Sequence, residues 1–268
     1  MALPSPSPVS TSVVTGASSG IGTELARLLA ERGHGVTLVA RREDRLRALA
    51  RELTQAHGVR VEAIACDAGD PEERRRLART LEQRGLVVEV LVNNAGFGSA
   101  GRFPSLDPER ETEMVRVNVE AVVALCGAYV PAMVERGRGA VLNVASTAAF
   151  QPLPRQATYG ATKAFVLSFT EALHGDLHGS GVSATVLCPG PVKTEFFDAA
   201  GMEGQFDGVP EFVWATAREA ARAGLDGVER GSRVVLPGAA SKVSALGGRL
   251  APRGPLLSLL RRGYPVGK

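Results

Sequence analysis

The sequence predicts one α/β domain in which a doubly wound sheet of seven parallel strands carries helices on both faces. Short runs rich in β-branched residues alternate along the chain with longer stretches of helical period. The runs are apolar throughout, as is typical of strands buried on both sides of a parallel sheet. No linker rich in proline or serine interrupts the pattern after Ser10. We therefore expect one domain over 11–240, preceded by a flexible segment, 1–10, and followed by a tail, 241–268.

Seven strands and six helices follow one another in this pattern. Turn residues bound the strands, which we expect at 10–15, 35–40, 59–65, 88–93, 139–145, 181–188 and 232–237. Apolar residues recur with a helical period between them, and the helices are expected at 21–33, 42–58, 71–85, 107–137, 158–177 and 216–231. Residues 195–215 break the alternation after the sixth strand, and this position predicts a lid over a ligand site.

Composition excludes several kinds of partner and site. The net charge of +3 is spread over helices of mixed sign, so no nucleic-acid surface is expected. Cys66, Cys126 and Cys188 are odd in number and far apart, which predicts reduced, buried thiols. His174 and His178 have no third ligand nearby in sequence, so we expect no metal site. The apolar stretches fall short of the roughly 20 residues of a membrane helix, and 1–10 does not resemble a signal peptide. We expect a soluble, cytoplasmic protein.

A glycine-rich turn joins the first strand to the first helix. Gly16 permits a sharp turn, Gly20 lets the backbone approach a pyrophosphate, and Gly22 allows close packing. The N–H groups that open the helix are then available to an anion. The turn predicts a dinucleotide site formed by Gly16, Ser18, Ser19, Gly20, Ile21 and Gly22.

The end of the second strand indicates which dinucleotide binds. A free ribose 2′-hydroxyl usually meets an acidic residue there, whereas a 2′-phosphate needs a cation. The acid position holds Ala40, and Arg41 follows with a planar fork suited to phosphate oxygens, with Arg42 as a second contact. NADP(H) is therefore favoured over NAD(H). The alternative is that both arginines only begin a charged surface helix, which continues with Arg45 and Arg47.

Four side chains could move protons in such a site. Tyr159 and Lys163 lie four residues apart on a helix, so they emerge on one face, where the ammonium and a cationic nicotinamide ring are together expected to lower the pKa of the phenol. Ser146 follows the fifth strand, at the edge where open α/β sheets bind ligands, and can hydrogen-bond a substrate oxygen. The amide of Asn118, mid-helix among apolar residues, either ties Lys163 to a chain of waters or serves packing.

These motifs, in this order, resemble the short-chain dehydrogenase/reductase family along essentially the whole chain. The shared features are TGASSGIG at 15–22, Asp67 after the third strand, NNAG at 93–96, Asn118, Ser146, the YxxxK pair Tyr159 and Lys163, and PGPVKT at 189–194. The resemblance implies a Rossmann-like fold and hydride transfer between NADP(H) and a carbonyl or secondary alcohol. It also implies a homodimer or homotetramer, paired through the helices that carry Asn118 and Tyr159.

The resemblance implies a role for each matching residue. Tyr159 is expected to be the general acid or base, Ser146 to position the carbonyl, and Lys163 to bind the nicotinamide ribose and tune the tyrosine. Asn118 is expected to hold a relay water. The expected cofactor contacts are Asp67 at the adenine, Asn93, Ala95 and Gly96 along the cofactor, and Val192 and Thr194 at the nicotinamide amide and phosphates, with Pro189 and Gly190 as further contacts.

Two regions bear on the substrate and on partners. The lid contains Phe196, Phe197, Met202, Phe206, Phe212 and Trp214, which either contact an apolar substrate or anchor the loop to the sheet. Near the expected site, Arg102 and Arg155 are the cations that an anionic substrate could use. The tail mixes leucines with arginines and is either an amphipathic cap over the sheet or, as the resemblance allows, a contact to lipid, substrate or a partner subunit. Rival functions are an NADPH-binding sensor and a structural subunit, and the set of Ser146, Tyr159 and Lys163 argues against both.

Overall fold

The computed structural model describes residues 3–201 and 210–263, apart from the side chains of residues 212, 262 and 263. Met202 and Phe206, which we expect in the lid, lie outside the described residues, as do 264–268 of the tail. The same holds for the side chain of Phe212.

Seven parallel strands form one sheet in the order β3-β2-β1-β4-β5-β6-β7. They are β1 (Ser10–Thr15), β2 (Val36–Ala40), β3 (Val61–Ala65), β4 (Val87–Asn93), β5 (Gly139–Val144), β6 (Val182–Leu187) and β7 (Val234–Val235). The strand order reverses between β1 and β4, which opens a crevice beyond their carboxyl ends. The predicted doubly wound fold is confirmed.

Ten helices occur in the described part of the chain. They are α1 (Gly20–Glu31), α2 (Glu43–His57), α3 (Pro71–Gln83), α4 (Pro108–Val115), α5 (Ala121–Glu135), α6 (Ala157–Asp176), α7 (Phe196–Ala199), α8 (Ala217–Glu229), α9 (Gly238–Leu250) and α10 (Arg253–Gly263). Four of them, α4, α7, α9 and α10, add to the six predicted: α4 is the first part of the predicted helix 107–137, and the others lie in the lid and the tail.

Two apolar cores cover the two faces of the sheet. In β1, Val13 belongs to the core shared with α3, α5 and α6, whereas its neighbour Val14 belongs to the core shared with α1, α2 and α8. Val141 and Leu142 of β5 divide in the same way. Successive strand residues point to opposite faces, so both must be apolar when both faces are covered. This packing explains why the strands read as continuous apolar runs.

One continuous helix runs from Pro108 to Glu135 and contains a π-helical turn, Arg116–Glu120, between α4 and α5. By length and hydropathy it could cross a membrane, so the expectation that no stretch is long and apolar enough was wrong. Half of the apolar part of this helix is buried inside the protein, where α5 packs on β4 and β5. A core helix of a sheet protein has this composition because it is covered on one side.

The ends of the domain differ from the expected boundaries. Ser10 already belongs to β1, and Leu3 of the segment expected to be flexible packs against the core. β7 has two residues instead of six, and it is an edge strand that pairs with β6. In the tail, α9 begins at Gly238, and its buried face lies on the turn that follows β5.

Candidate active site

A cleft of about 630 Å³ opens at the carboxyl ends of β1, β4, β5 and β6. The segments that follow parallel strands converge at this edge of the sheet. The predicted site residues that line the cleft are Gly16, Ser18, Ser19, Gly20, Ile21, Arg41, Arg42, Asp67, Ala95, Gly96, Ser146, Tyr159, Lys163, Pro189, Gly190, Val192 and Thr194. Gly22, Asn93 and Asn118 do not line it.

The turn between β1 and α1 is shaped by its three glycines. Gly16 and Gly20 have φ values of +66° and +57°, which favour glycine. A Cβ on Gly20 would lie 3.0 Å from the side chain of Thr194, so the bare backbone keeps the cleft open there. A Cβ on Gly22 would lie 2.3 Å from the carbonyl oxygen of Gly16, so Gly22 serves helix packing. The turn fits a pyrophosphate that approaches the N–H groups of α1.

The two arginines after β2 have different partners. Arg42 donates to the hydroxyl oxygens of Ser18, at 3.0 Å, and Ser19, at 2.8 Å, and also pairs with Glu195. Arg41 is 68% exposed and lies 3.8 Å from a carboxylate oxygen of Asp67. The guanidinium of Arg42 therefore lies over the phosphate-binding turn. The guanidinium of Arg41 lies beside Asp67, the residue expected to contact the adenine.

The asparagine that lines the cleft is Asn94, whereas Asn93, the predicted cofactor contact, turns its side chain to the core. Asn93 is the last residue of β4, and its amide donates to the Asn143 side chain at 2.8 Å within the core. Asn94 points the other way, because successive residues alternate, and its amide donates to the carbonyl oxygens of Thr15 and Gly16. Asn94 thereby joins the segments after β1 and β4 across the point where the strand order reverses.

Tyr159, Ser146 and Lys163 meet at the centre of the cleft. Tyr159 and Lys163 lie one turn apart on α6 and are 8% and 5% exposed. The Tyr159 hydroxyl hydrogen-bonds the side chain of Ser146, which stands two residues beyond β5. The ammonium of Lys163 donates to the carbonyl oxygen of Val144 at 3.0 Å and lies 5.7 Å from the centre of the tyrosine ring.

Burial dominates the protonation of this pair. It raises the pKa of Tyr159 to about 12, against a smaller lowering by the hydrogen bond with Ser146. It also lowers the pKa of Lys163 to about 8. In the protein alone, removal from water disfavours the phenolate more than the hydrogen bond with Ser146 favours it. The predicted lowering by a cationic nicotinamide ring concerns the protein with its cofactor bound and stays a prediction.

Asn118 does not line the cleft but holds together two segments that do. It lies in the π-helical turn and is 1% exposed. Its amide donates to the Phe97 carbonyl oxygen at 3.0 Å and the Thr162 hydroxyl at 3.1 Å, and its side-chain oxygen accepts from the Phe97 N–H. These bonds tie the segment after β4 to α6. The side chain thus has a packing role, and the relay water stays a prediction.

The sequence of the chain matches the family model described as short chain dehydrogenase over residues 10–203. The chain belongs to the short-chain dehydrogenase family. It is therefore an oxidoreductase, and its match covers the phosphate turn, Ser146, Tyr159 and Lys163.

Known relatives agree with this assignment. The dehydrogenase is 38% identical to sulfoacetaldehyde reductase 2 of Chromohalobacter salexigens over 69% of its own length and 73% of that protein. It superposes on a short-chain dehydrogenase from Sphingobium yanoikuyae in complex with NADPH, with a TM-score of 0.80, 34% identity and coverage of 96% and 98% of the two chains. A 7β-hydroxysteroid dehydrogenase gives a TM-score of 0.85 at 25% identity, with coverage of 94% and 96%.

The end of the cleft next to Tyr159 is apolar. The rings of Tyr159 and Phe196 are 5.4 Å apart, and Phe97 and Leu153 pack around them. A chain of aromatic contacts continues from Phe196 to Phe197 and on to Trp214. Among the described residues of the dehydrogenase, the charged side chains that line the cleft are Arg41, Arg42, Asp67, Lys163 and Glu195, so neither Arg102 nor Arg155 does.

Several residues that line the cleft were not predicted from the sequence. Ala240, Ser241 and Ser244 come from α9, and Ser241 accepts a hydrogen bond from the Gly190 N–H at 3.1 Å. Gln151 and Gln156 add neutral polar groups. The loop and tail positions carry no motif, although strand alternation could have indicated Asn94. No group of three metal-ligating side chains occurs among the residues that the structure describes.

Proposed function

We propose that this dehydrogenase is an NADP(H)-dependent reductase of an uncharged, largely apolar ketone or aldehyde, with Tyr159 as the general acid. The observation that carries the proposal is the hydrogen bond between Tyr159 and Ser146, with Lys163 one helical turn away, in the same cleft as the phosphate turn. A sensor or structural subunit has no need of this buried trio.

The residues of the cleft fit an NADP(H) molecule. Gly20 leaves the backbone of the turn bare, and Gly96 does the same beside Lys163, where a Cβ would lie 2.9 Å from Asn118 Oδ1. Arg42 would hold the 2′-phosphate together with Ser18, and Arg41 would lie beside the adenine with Asp67. The NADPH in the Sphingobium yanoikuyae relative supports this choice.

The chemistry divides between the cofactor and three side chains. When bound, the nicotinamide supplies the hydride that reduces a carbonyl carbon. Tyr159 would donate its proton to the carbonyl oxygen, and its raised pKa keeps it protonated at neutral pH. Ser146 would donate a hydrogen bond to the same oxygen. Lys163 would orient the ribose and provide the positive charge that stabilises the phenolate left behind.

The substrate class follows from the walls near Tyr159. Phe97, Leu153 and Phe196 offer apolar surface, and Lys163, the cation beside Tyr159, is assigned to the cofactor ribose and not to an acid group of the substrate. Gln151, Gln156 and Ser244 could hydrogen-bond a neutral polar group. Steroid-like bulk, as acted on by the 7β-hydroxysteroid relative, therefore fits better than a small anion.

The test is the Tyr159→Phe variant. Ketone-dependent NADPH oxidation should fall by about a hundred-fold or more, because the proton donor is removed, while NADPH binding stays near the wild-type value. Binding is read from nicotinamide fluorescence, and turnover from a panel of ketones graded by size and charge.

Tyr129→Phe is the matched control. It removes the hydroxyl of a second tyrosine, which is only partly buried and does not line the cleft, so turnover should be unchanged. Full activity of Tyr159→Phe would contradict the assigned proton donor. A wild-type protein that binds NADPH but reduces no carbonyl in the panel would favour the sensor.

A further inference from the structure

Helices α9 and α10 expose a row of large apolar side chains. Val243, Leu246 and Leu250 are 71%, 59% and 72% exposed, and Leu257 and Leu259 of α10 are also exposed. The three residues of α9 are spaced i, i+3 and i+7, so they share one side of the helix. Most exposed apolar residues are scattered singly, whereas a row on one helix marks an interaction surface.

The opposite face of α9 belongs to the enzyme. Ser241, Ala245 and Gly248 are buried there, and Gly248 lies against the backbone of Phe150. Ala240, Ser241 and Ser244 line the catalytic cleft. The helix is therefore held on the body of the protein by one face, beside the cleft, and presents leucine and valine to its surroundings with the other.

Positive charge without counter-charge surrounds the row. Lys242 and Arg249 are exposed on α9, and Arg253 and Arg261 are exposed on α10. From Gly238 to Lys268 the chain contains no aspartate or glutamate. None of these four cations forms an ion pair within the described residues, whereas arginines such as Arg27, Arg42 and Arg218 pair with carboxylates.

We propose that α9 and α10 form a docking surface for an anionic lipid membrane. Apolar side chains on a basic helix face enter the boundary between headgroups and acyl chains, and the cations meet lipid phosphates. A second copy of this chain fits less well, because two such surfaces would bring unpaired cations together. If the proposed function holds, docking places the apolar end of the cleft next to the lipid from which its substrate is drawn.

The experiment is co-sedimentation of the full chain with vesicles. We expect binding to vesicles that contain phosphatidylglycerol, no binding to pure phosphatidylcholine, and weaker binding at high salt. The triple variant Val243→Ser, Leu246→Ser, Leu250→Ser should bind at least about ten-fold less tightly. The double variant Lys242→Gln, Arg249→Gln should lose roughly thirty-fold.

Val9→Ser is the matched control. Val9 is 53% exposed and precedes β1, so it lies at the amino ends of the strands, away from the cleft. It should bind vesicles as the wild type does, and all variants should retain NADPH binding, which shows that they are folded. The inference is overturned if the wild type ignores anionic vesicles or the triple variant still binds them. A wild-type oligomer that dissociates in the triple variant would assign the surface to a second copy. Vesicle binding needs no turnover, so its outcome is independent of the proposed reaction.

Discussion

Arg41 and Arg42 leave the same strand but contribute differently to the cleft. Arg42 is anchored on Ser18 and Ser19, so its guanidinium is already oriented over the phosphate turn. Arg41 is mostly exposed, with longer contacts to carboxylates. An oriented fork loses less freedom when it binds a phosphate, so Arg42 should contribute more to recognition of the 2′-phosphate.

The Arg42→Gln variant tests this difference. NADPH affinity should fall by about ten-fold or more, since hydrogen bonds to charged groups contribute roughly 1.5–3 kcal/mol, while NADH affinity should change little. Arg41→Gln serves as the neighbouring control with a smaller loss. Titrations of the wild type and both variants with each cofactor, followed by nicotinamide fluorescence, give the dissociation constants that are compared. Equal losses of affinity for NADPH and NADH in Arg42→Gln would show that Arg42 does not recognise the 2′-phosphate.

Lys163 makes cofactor binding depend on pH. Burial lowers its pKa from 10.5 to about 8, so the ammonium is present below that pH and lost above it. NADPH affinity should therefore decrease as the pH rises from about 7 to 9, because a neutral amine no longer attracts an anionic cofactor. In Lys163→Met the affinity should be low at both pH values and nearly independent of pH. A wild-type affinity that is constant over this range would contradict the assignment.

At the scale of elements, the π-helical turn positions Asn118. Asn118 lies in Arg116–Glu120, where an extra residue in the turn brings its amide to Phe97 and Thr162. Such turns often occur at functional sites. The periodicity of 107–137 predicted one plain helix without a π turn. The π turn is set by packing between the segment after β4 and α6.

Helix α8 begins at a capping box that can be tested. The Thr216 hydroxyl accepts from the Glu219 N–H at 3.1 Å, and the Glu219 carboxylate accepts from the Thr216 N–H at 2.8 Å. Thr216→Ala should lower the free energy of unfolding by about 1 kcal/mol, measured by urea denaturation, because an N–H at the start of the helix loses its partner. Thr54→Ala, at an exposed position within α2, should be neutral or slightly stabilising. Equal effects would show that the cap contributes nothing.

Over the whole molecule, buried acids make the fold sensitive to alkali. Burial raises the pKa of Cys66, Cys126 and Cys188 from 9.0 to about 12, and that of Tyr129 and Tyr159 from 10.0 to about 12. The three cysteines are free and buried, as predicted. Below pH 9.0 these groups hold their protons in both states and do not change stability. Above it the unfolded chain releases protons that the folded chain keeps.

The free energy of unfolding should therefore fall as the pH rises from about 9 towards 12. Lys163 acts in the opposite direction between about 8 and 10.5, but it is one group against five. Urea denaturation at a series of pH values measures the slope, and Cys126→Ala should make it shallower. Stability that stays constant or increases over this range would contradict the prediction.

Assembly and location remain predictions at this scale. Val123 and Val134 of α5 and Phe165 of α6 are exposed on the helices through which relatives are expected to pair. A homodimer or homotetramer would cover them. Cytoplasmic location was expected from the sequence, and association with a membrane surface through α9 and α10 is compatible with it.

Periodicity was enough to predict the seven parallel strands and the six helices that alternate with them. The order of the motifs was enough to predict the phosphate turn and the positions of Ser146, Tyr159 and Lys163. These features depend on residues near in sequence, or on strand ends that a parallel sheet always brings to one edge. The choice of Asn94 over Asn93, the anchoring of Arg42 and the π turn depend on which face or neighbour each side chain meets. The pKa values of Tyr159 and Lys163 depend on removal from water. The two-faced helix α9 depends on contacts between residues far apart in the chain, and only the folded structure brings those together.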